Sequence, residues 1–157
     1  METSLNDCIK EYKAQLEIGT IQKAYKGLMK YIMELRVHLL NKYSDNFVLG
    51  NVYHGYMDAT YFHFTPKSLK NKKLKTVIVF NHEELRFEIW LAGQNKEILK
   101  KYWVLFKDKE HNKYLTLQDT IVGVLVENPN FDDLDVLTEQ IEIKTLEFIK
   151  YVTTILR

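Results

Sequence analysis

The chain has 157 residues, 22 of them basic and 21 acidic, for a formal net charge of +1 at pH 7. That near-balance excludes a polyelectrolyte that holds nucleic acid by bulk charge, and 46% hydrophobic content with only two prolines excludes a disordered or fibrous chain. The length fits one domain over residues 1–157, large enough to bury a core without disulfide or metal support.

The N-terminal Met1-Glu2-Thr3-Ser4 carries acid where a secretion signal needs positive charge. The longest apolar runs, Val77 to Phe80 and Val124 to Val126, fall far short of the ~20 residues that span a bilayer. One cysteine, Cys8, cannot form an internal disulfide and fits a reducing compartment, so a cytoplasmic protein without a membrane partner is expected.

Leu5, Ile9, Tyr12 and Leu16 recur at helical spacing behind a Ser4/Asp7 capping box, predicting a helix over 4–17 in which Cys8 is a small core residue. Gly19 ends it, and Thr20 caps a second helix over 20–43 with the stripe Ile21, Tyr25, Leu28, Ile32, Leu35 and Leu39. From Phe47 to Leu91 aromatic and β-branched residues dominate, and breaks at His54-Gly55, Pro66 to Lys73 and Asn81 to Glu83 divide the stretch into strands near 47–54, 57–65, 75–81 and 84–91. In the last of these, Leu85, Phe87, Ile89 and Leu91 alternate with Arg86, Glu88 and Trp90, one face core and the other partly wet. Connections this short predict an antiparallel meander.

Asn95 can cap a helix over 95–107 with Ile98, Tyr102, Leu105 and Phe106 inward. Residues 117–127 are ambiguous. Ile121, Val122, Val124 and Val126 favour a strand, whereas the Thr116/Asp119 capping box, the four-residue spacing of Leu117, Ile121 and Leu125, and Asn128-Pro129 favour a helix; the reading leans to helix. A final helix over 132–156 begins with the acid-rich Asp132-Asp133. The fold class is therefore α+β, an antiparallel sheet of about four strands flanked by two N-terminal and two or three C-terminal helices.

The stretches Tyr53-His54-Gly55-Tyr56-Met57-Asp58, Phe80 to Gly93 (FNHEELRFEIWLAG) and Asn128-Pro129-Asn130-Phe131 resemble the signature segments of a family of small uncharacterised bacterial proteins, and the resemblance covers nearly the whole chain. It implies a bacterial, cytosolic origin and assigns no function, so no catalytic residue is carried over.

The phosphate-loop, dinucleotide, zincin, nucleophile-elbow and C-x-x-C patterns are absent, and no cofactor is expected. His54 and His63 with Asp58 could form a three-ligand metal site only if their strands pair, and ordinary solvated histidines are the simpler reading. Asp58 and Glu88 are the carboxylates to weigh for a metal-dependent hydrolase acting on nucleic acid, but a meander puts a strand between them, roughly 10 Å of backbone separation. Lys67, Lys70, Lys72, Lys73 and Lys75 crowd one loop; solvation of a hairpin connection explains them more simply than nucleic-acid contact. Glu127, Asp132, Asp133, Asp135, Glu139, Glu142 and Glu147 form an acidic C-terminal stretch read as a solvated helix face.

Aromatic density is the positive signal, at 13% of the chain. The leading expectation is a non-catalytic module that binds a small ligand or a protein through an aromatic sheet face, with Tyr53, His54, Tyr56, Asp58, Arg86, Glu88 and Trp90 at the site and no metal. Strand 47–54 carries no charged residue to guard it as an edge, which predicts a homodimer through that strand or through the aromatic face.

Overall fold

A computed structural model describes residues 2–107, 115–117 and 120–157. Residues 1–34 and 35–157 form two compact units. In the first, helix α1 (Leu5–Ile18) starts where the Ser4 Oγ accepts the Asp7 amide at 3.1 Å and stops at Gly19, whose φ of 88° only glycine adopts freely. Helix α2 (Thr20–Tyr43) follows directly. None of the α1 residues is buried, and Leu5, Ile9, Tyr12 and Cys8 are exposed. The expectation that Cys8 is a core residue is therefore corrected: periodicity marks a common face but does not supply a surface to cover it.

The second unit is built on a six-stranded antiparallel sheet in the order β1-β2-β3-β4-β6-β5. Its strands are β1 (Phe47–Leu49), β2 (Ala59–Pro66), β3 (Leu74–Asn81), β4 (Arg86–Gly93), β5 (Leu115–Leu117) and β6 (Thr120–Val126). The first four form the expected meander. Two expected boundaries move for a backbone reason: Met57 and Leu85 sit at φ 63° and 52°, outside the β region, so β2 and β4 begin after them. The leaning to helix at 117–127 is corrected as well. Five β-branched residues and Gly123 oppose a helix there, and β6 satisfies the backbone of β4 while pairing β5 on its other side. Asp119, half of the supposed capping box, lies outside the described residues, as does His111.

Register sorts the side chains onto two faces. Phe62 pairs with Ile78, Ile78 with Ile89, Phe80 with Phe87 and Leu91 with Ile121, giving a continuous apolar face. Helix α5 (Leu134–Ile155) and the 35–43 segment of α2 cover it: Tyr43 sets its ring edge-on to Phe47 and Phe64, and Phe106 of α4 (Lys96–Lys107) meets Tyr151 of α5. On α4 the inward positions are Leu99 and Phe106, while Leu105, expected inward, is exposed. A one-turn helix, α3 (Lys67–Lys70), occupies part of the lysine-rich connection. The opposite sheet face carries Tyr61, His63, Val77, Val79, Arg86, Glu88, Trp90, Val122 and Val124 in matched rows. That placement of Arg86, Glu88 and Trp90 away from the helices agrees with the alternation read in the sequence.

Candidate functional site

At the centre of that opposite face is Glu88, only 1% exposed. A buried carboxylate is tolerated only when its oxygens are met by donors, and this one is surrounded by them. Arg86 Nε donates to Oε2 at 2.7 Å, Asn81 Nδ2 to the same oxygen at 3.3 Å, and Trp90 Nε1 to Oε1 at 2.9 Å. The strand period puts Arg86, Glu88 and Trp90 on one face, and antiparallel register sets Asn81 opposite Arg86. Arg86 reaches on to Glu127 at 3.3 Å, and its hydrogen bond to Glu88 raises its pKa above the ordinary guanidinium value. With both oxygens engaged by three donors, Glu88 holds the Arg86 and Trp90 side chains in place across the face.

Beside this network runs an aromatic row. Tyr53 bridges Tyr61 through the backbone in both directions, at 2.7 and 2.9 Å, and their rings stand 4.9 Å apart. His63 continues the row, stacked at 6.3 Å from Tyr61.

The row leads to one end of the sheet, where three turns meet. In the 54–58 turn the Asp58 Oδ1 accepts the Tyr56 amide at 2.8 Å, and backbone donors hold its carboxyl below the ordinary range. Gly55 is obligatory in that turn: at φ 73°, a Cβ would stand 2.2 Å from the Ala59 carbonyl oxygen. The 82–85 turn lies alongside, tied by the His82 amide to the Asp58 carbonyl at 3.0 Å and by His82 Nε2 to Thr60 Oγ1 at 2.8 Å. Thr60 Oγ1 in turn donates to the His54 carbonyl at 2.7 Å. Phe131, from the third turn, packs on Phe80 and Phe87 at 6.0 and 6.2 Å. These three turns belong to the three stretches that carry the family resemblance. Their tips present apolar side chains outward: Tyr56 is 89% exposed, Leu85 63% and Met57 54%, with Tyr53 and Phe131 close behind.

The structure thus places Tyr53, His54, Tyr56 and Asp58 at the turn end and Arg86, Glu88 and Trp90 in the central network. Asp58 and Glu88 do not meet; β3 lies between their strands and each carboxylate is engaged in its own set of bonds. His54 and His63 are separated too, because Tyr53 pairs with Tyr61 and the amide of Gly50 with the His63 carbonyl. Among the described residues no three His, Cys, Asp or Glu side chains are grouped to hold a metal.

A cluster the sequence did not disclose joins α2 to α5. Glu142 accepts from Lys42 Nζ at 2.6 Å, from the Tyr43 hydroxyl, and from His38 Nε2 at 2.9 Å. Burial would raise its pKa, but these three donors outweigh burial and hold it at about 2. Its reading as one of many solvated acids is corrected. The signal available was Glu142 falling one position from Ile141, at the margin of the buried stripe. The partners, about 100 residues away in the chain, are visible only in the fold.

The model of a protein family described as a domain of unknown function (DUF7000) matches residues 5–156, and the chain belongs to that family. No curated protein and no solved structure matches it. No helix among the described residues is long and apolar enough to cross a membrane.

Proposed function

We propose that this member of the DUF7000 family is a non-catalytic interaction module that takes an apolar protein surface on its turn end, with Tyr53, Tyr56, Met57, Leu85 and Phe131 as contacts. The supporting observation is that apolar residues are displayed by turns built against ordinary preference. Met57 and Leu85 adopt a left-handed backbone that costs such residues about 1–3 kcal/mol, yet their side chains face outward and gain little burial. Backbone strain held in place by Gly55, Asp58, Thr60 and His82 is a feature of binding surfaces, where the return comes from a partner. The polar groups nearby, Asp58 and Glu88, each brace the scaffold and stand apart from one another with β3 between their strands, which favours binding over hydrolysis.

The partner class includes a second copy of the chain. Strand β1, the edge on which dimerisation was expected, is three residues long, and Arg36 Nε takes the Gly50 carbonyl next to it at 2.6 Å. A homodimer would therefore use the turn end or the aromatic face in preference to that edge.

The test is site-specific photo-crosslinking from position 56 in cells, with light scattering of the purified protein across the micromolar range. A discrete adduct at position 56, absent from a probe at exposed Lys150 and lost in the Leu85→Asn variant, is expected. Equal labelling from positions 56 and 150 would refute the assignment, and an adduct of twice the chain mass identifies the partner as a second copy.

A further inference from the structure

At the opposite end of the same face lies a cavity of about 310 Å³ lined by Gly50, His63, Thr65, Lys70, Lys75 and Gln94, among others. Its charge is one-sided. Lys70 and Lys75 have no carboxylate within 4.0 Å among the described residues, and no Asp or Glu lines the cavity. Arg36 Nε donates to the carbonyl of Gly50, a residue of the lining, and so fixes the backbone at that edge of the cavity. The effect of this charge is felt locally: burial first, and Lys75 second, hold the His63 imidazole below its ordinary 6.5, so the ring is neutral at pH 7. Gly50 keeps the cavity wall close to His63, since a Cβ there would stand 3.3 Å from the His63 Cβ. Thr65 Oγ1 is occupied with the Thr76 backbone, which leaves the two ammonium groups, the Gln94 amide and the imidazole to meet a guest.

We infer that this cavity binds the phosphate of a phosphate monoester, a ligand of the nucleoside monophosphate class whose planar group lies along the His63–Tyr61–Tyr53 row. A phosphate monoester carries about −1.5 to −2 at pH 7, which matches two lysines where a single carboxylate would leave one unopposed. The aromatic row begins at the cavity wall, because His63 both lines the cavity and stacks on Tyr61. Base–aromatic stacking of this kind contributes about 1–3 kcal/mol. The phosphate cavity is separate from the turn end and the two proposals share only Tyr53, so shifts at Gly50, His63 and Gln94 report on the cavity whatever the outcome at position 56.

The experiment is calorimetric titration at low ionic strength with adenosine 5′-monophosphate, inorganic phosphate and adenosine, paired with amide chemical-shift mapping. The expected result is shifts at Gly50, His63 and Gln94, with the monophosphate at least about tenfold tighter than phosphate, as about 1.4 kcal/mol of stacking requires. Lys70→Gln and Lys75→Gln should each weaken the monophosphate severalfold, and Lys75→Arg should restore it. An absence of shifts at about 20 mM phosphate or monophosphate, more than tenfold above a millimolar Kd, would overturn the site. So would an equal loss from Lys150→Gln, which would mean diffuse charge. A monophosphate no tighter than phosphate would overturn the stacking assignment. Affinity for a single-stranded oligonucleotide that grows with its length would replace the monoester site with a polymer track.

Discussion

Replacing Glu142 with Gln tests how α5 is tied to the 35–43 segment of α2. A carboxyl whose pKa is about 2 in the fold and 4.5 ordinarily stabilises the native state at neutral pH by at most about 3 kcal/mol, taking ~1.4 kcal/mol per tenfold. Solvent reduces this, because the Lys42 and His38 side chains are 56% and 43% exposed, and about 1–2 kcal/mol is the expected loss. The folded pKa lies below the unfolded one, so this stability is fully present above pH 4.5 and disappears as pH falls towards 2. Urea unfolding of wild type and Glu142→Gln, monitored by circular dichroism between pH 7 and 2.5, should show a gap that is constant down to about pH 5 and then narrows. A gap below about 0.3 kcal/mol at pH 7, or one unchanged between pH 5 and 2.5, would refute the argument, since either means that solvent meets the carboxylate as well as its three partners do.

Gly55→Ala should lower the melting temperature by several degrees, because the turn must open to separate the new Cβ from the Ala59 carbonyl; an unchanged melting temperature would show that the turn relaxes at no cost. Leu85→Asn should leave stability level or raise it by up to about 1 kcal/mol, since Asn accepts the left-handed backbone more readily, while removing the position-56 crosslink. Glu88→Ala should cost about 2 kcal/mol by leaving the half-buried Arg86 without its main acceptor, measured by denaturant midpoint; a loss under about 1 kcal/mol would mean that Arg86 is satisfied by Glu127 and solvent. Burial holds both His63 and His82 below 6.5, so the native state binds fewer protons than the unfolded chain on acidification, and stability should begin to decline as pH drops below about 6.5; His82→Gln should flatten part of that slope.

Local pattern determined much of the fold. The bounds of α2, the alternation along β4 and the acid-capped start of α5 follow from periods of 3.6 and 2 and from capping chemistry that act over a few residues, and they are legible without a fold. So was the separation of Asp58 from Glu88, which follows once a strand intervenes. What tertiary structure decided is of longer range. Residues 120–126 became a strand because β4 offered a row of unpaired backbone groups, a demand that outweighs a local spacing of four. Cys8 and the α1 stripe stayed exposed because periodicity states which residues share a face and nothing about what lies opposite. Glu142 left solvent because α5 set it against His38, Lys42 and Tyr43, and the value of a charge depends on neighbours that the chain brings together only on folding. The meeting of three separate turns at one end of the sheet has the same origin: each turn is encoded locally, and their adjacency belongs to the register of the sheet.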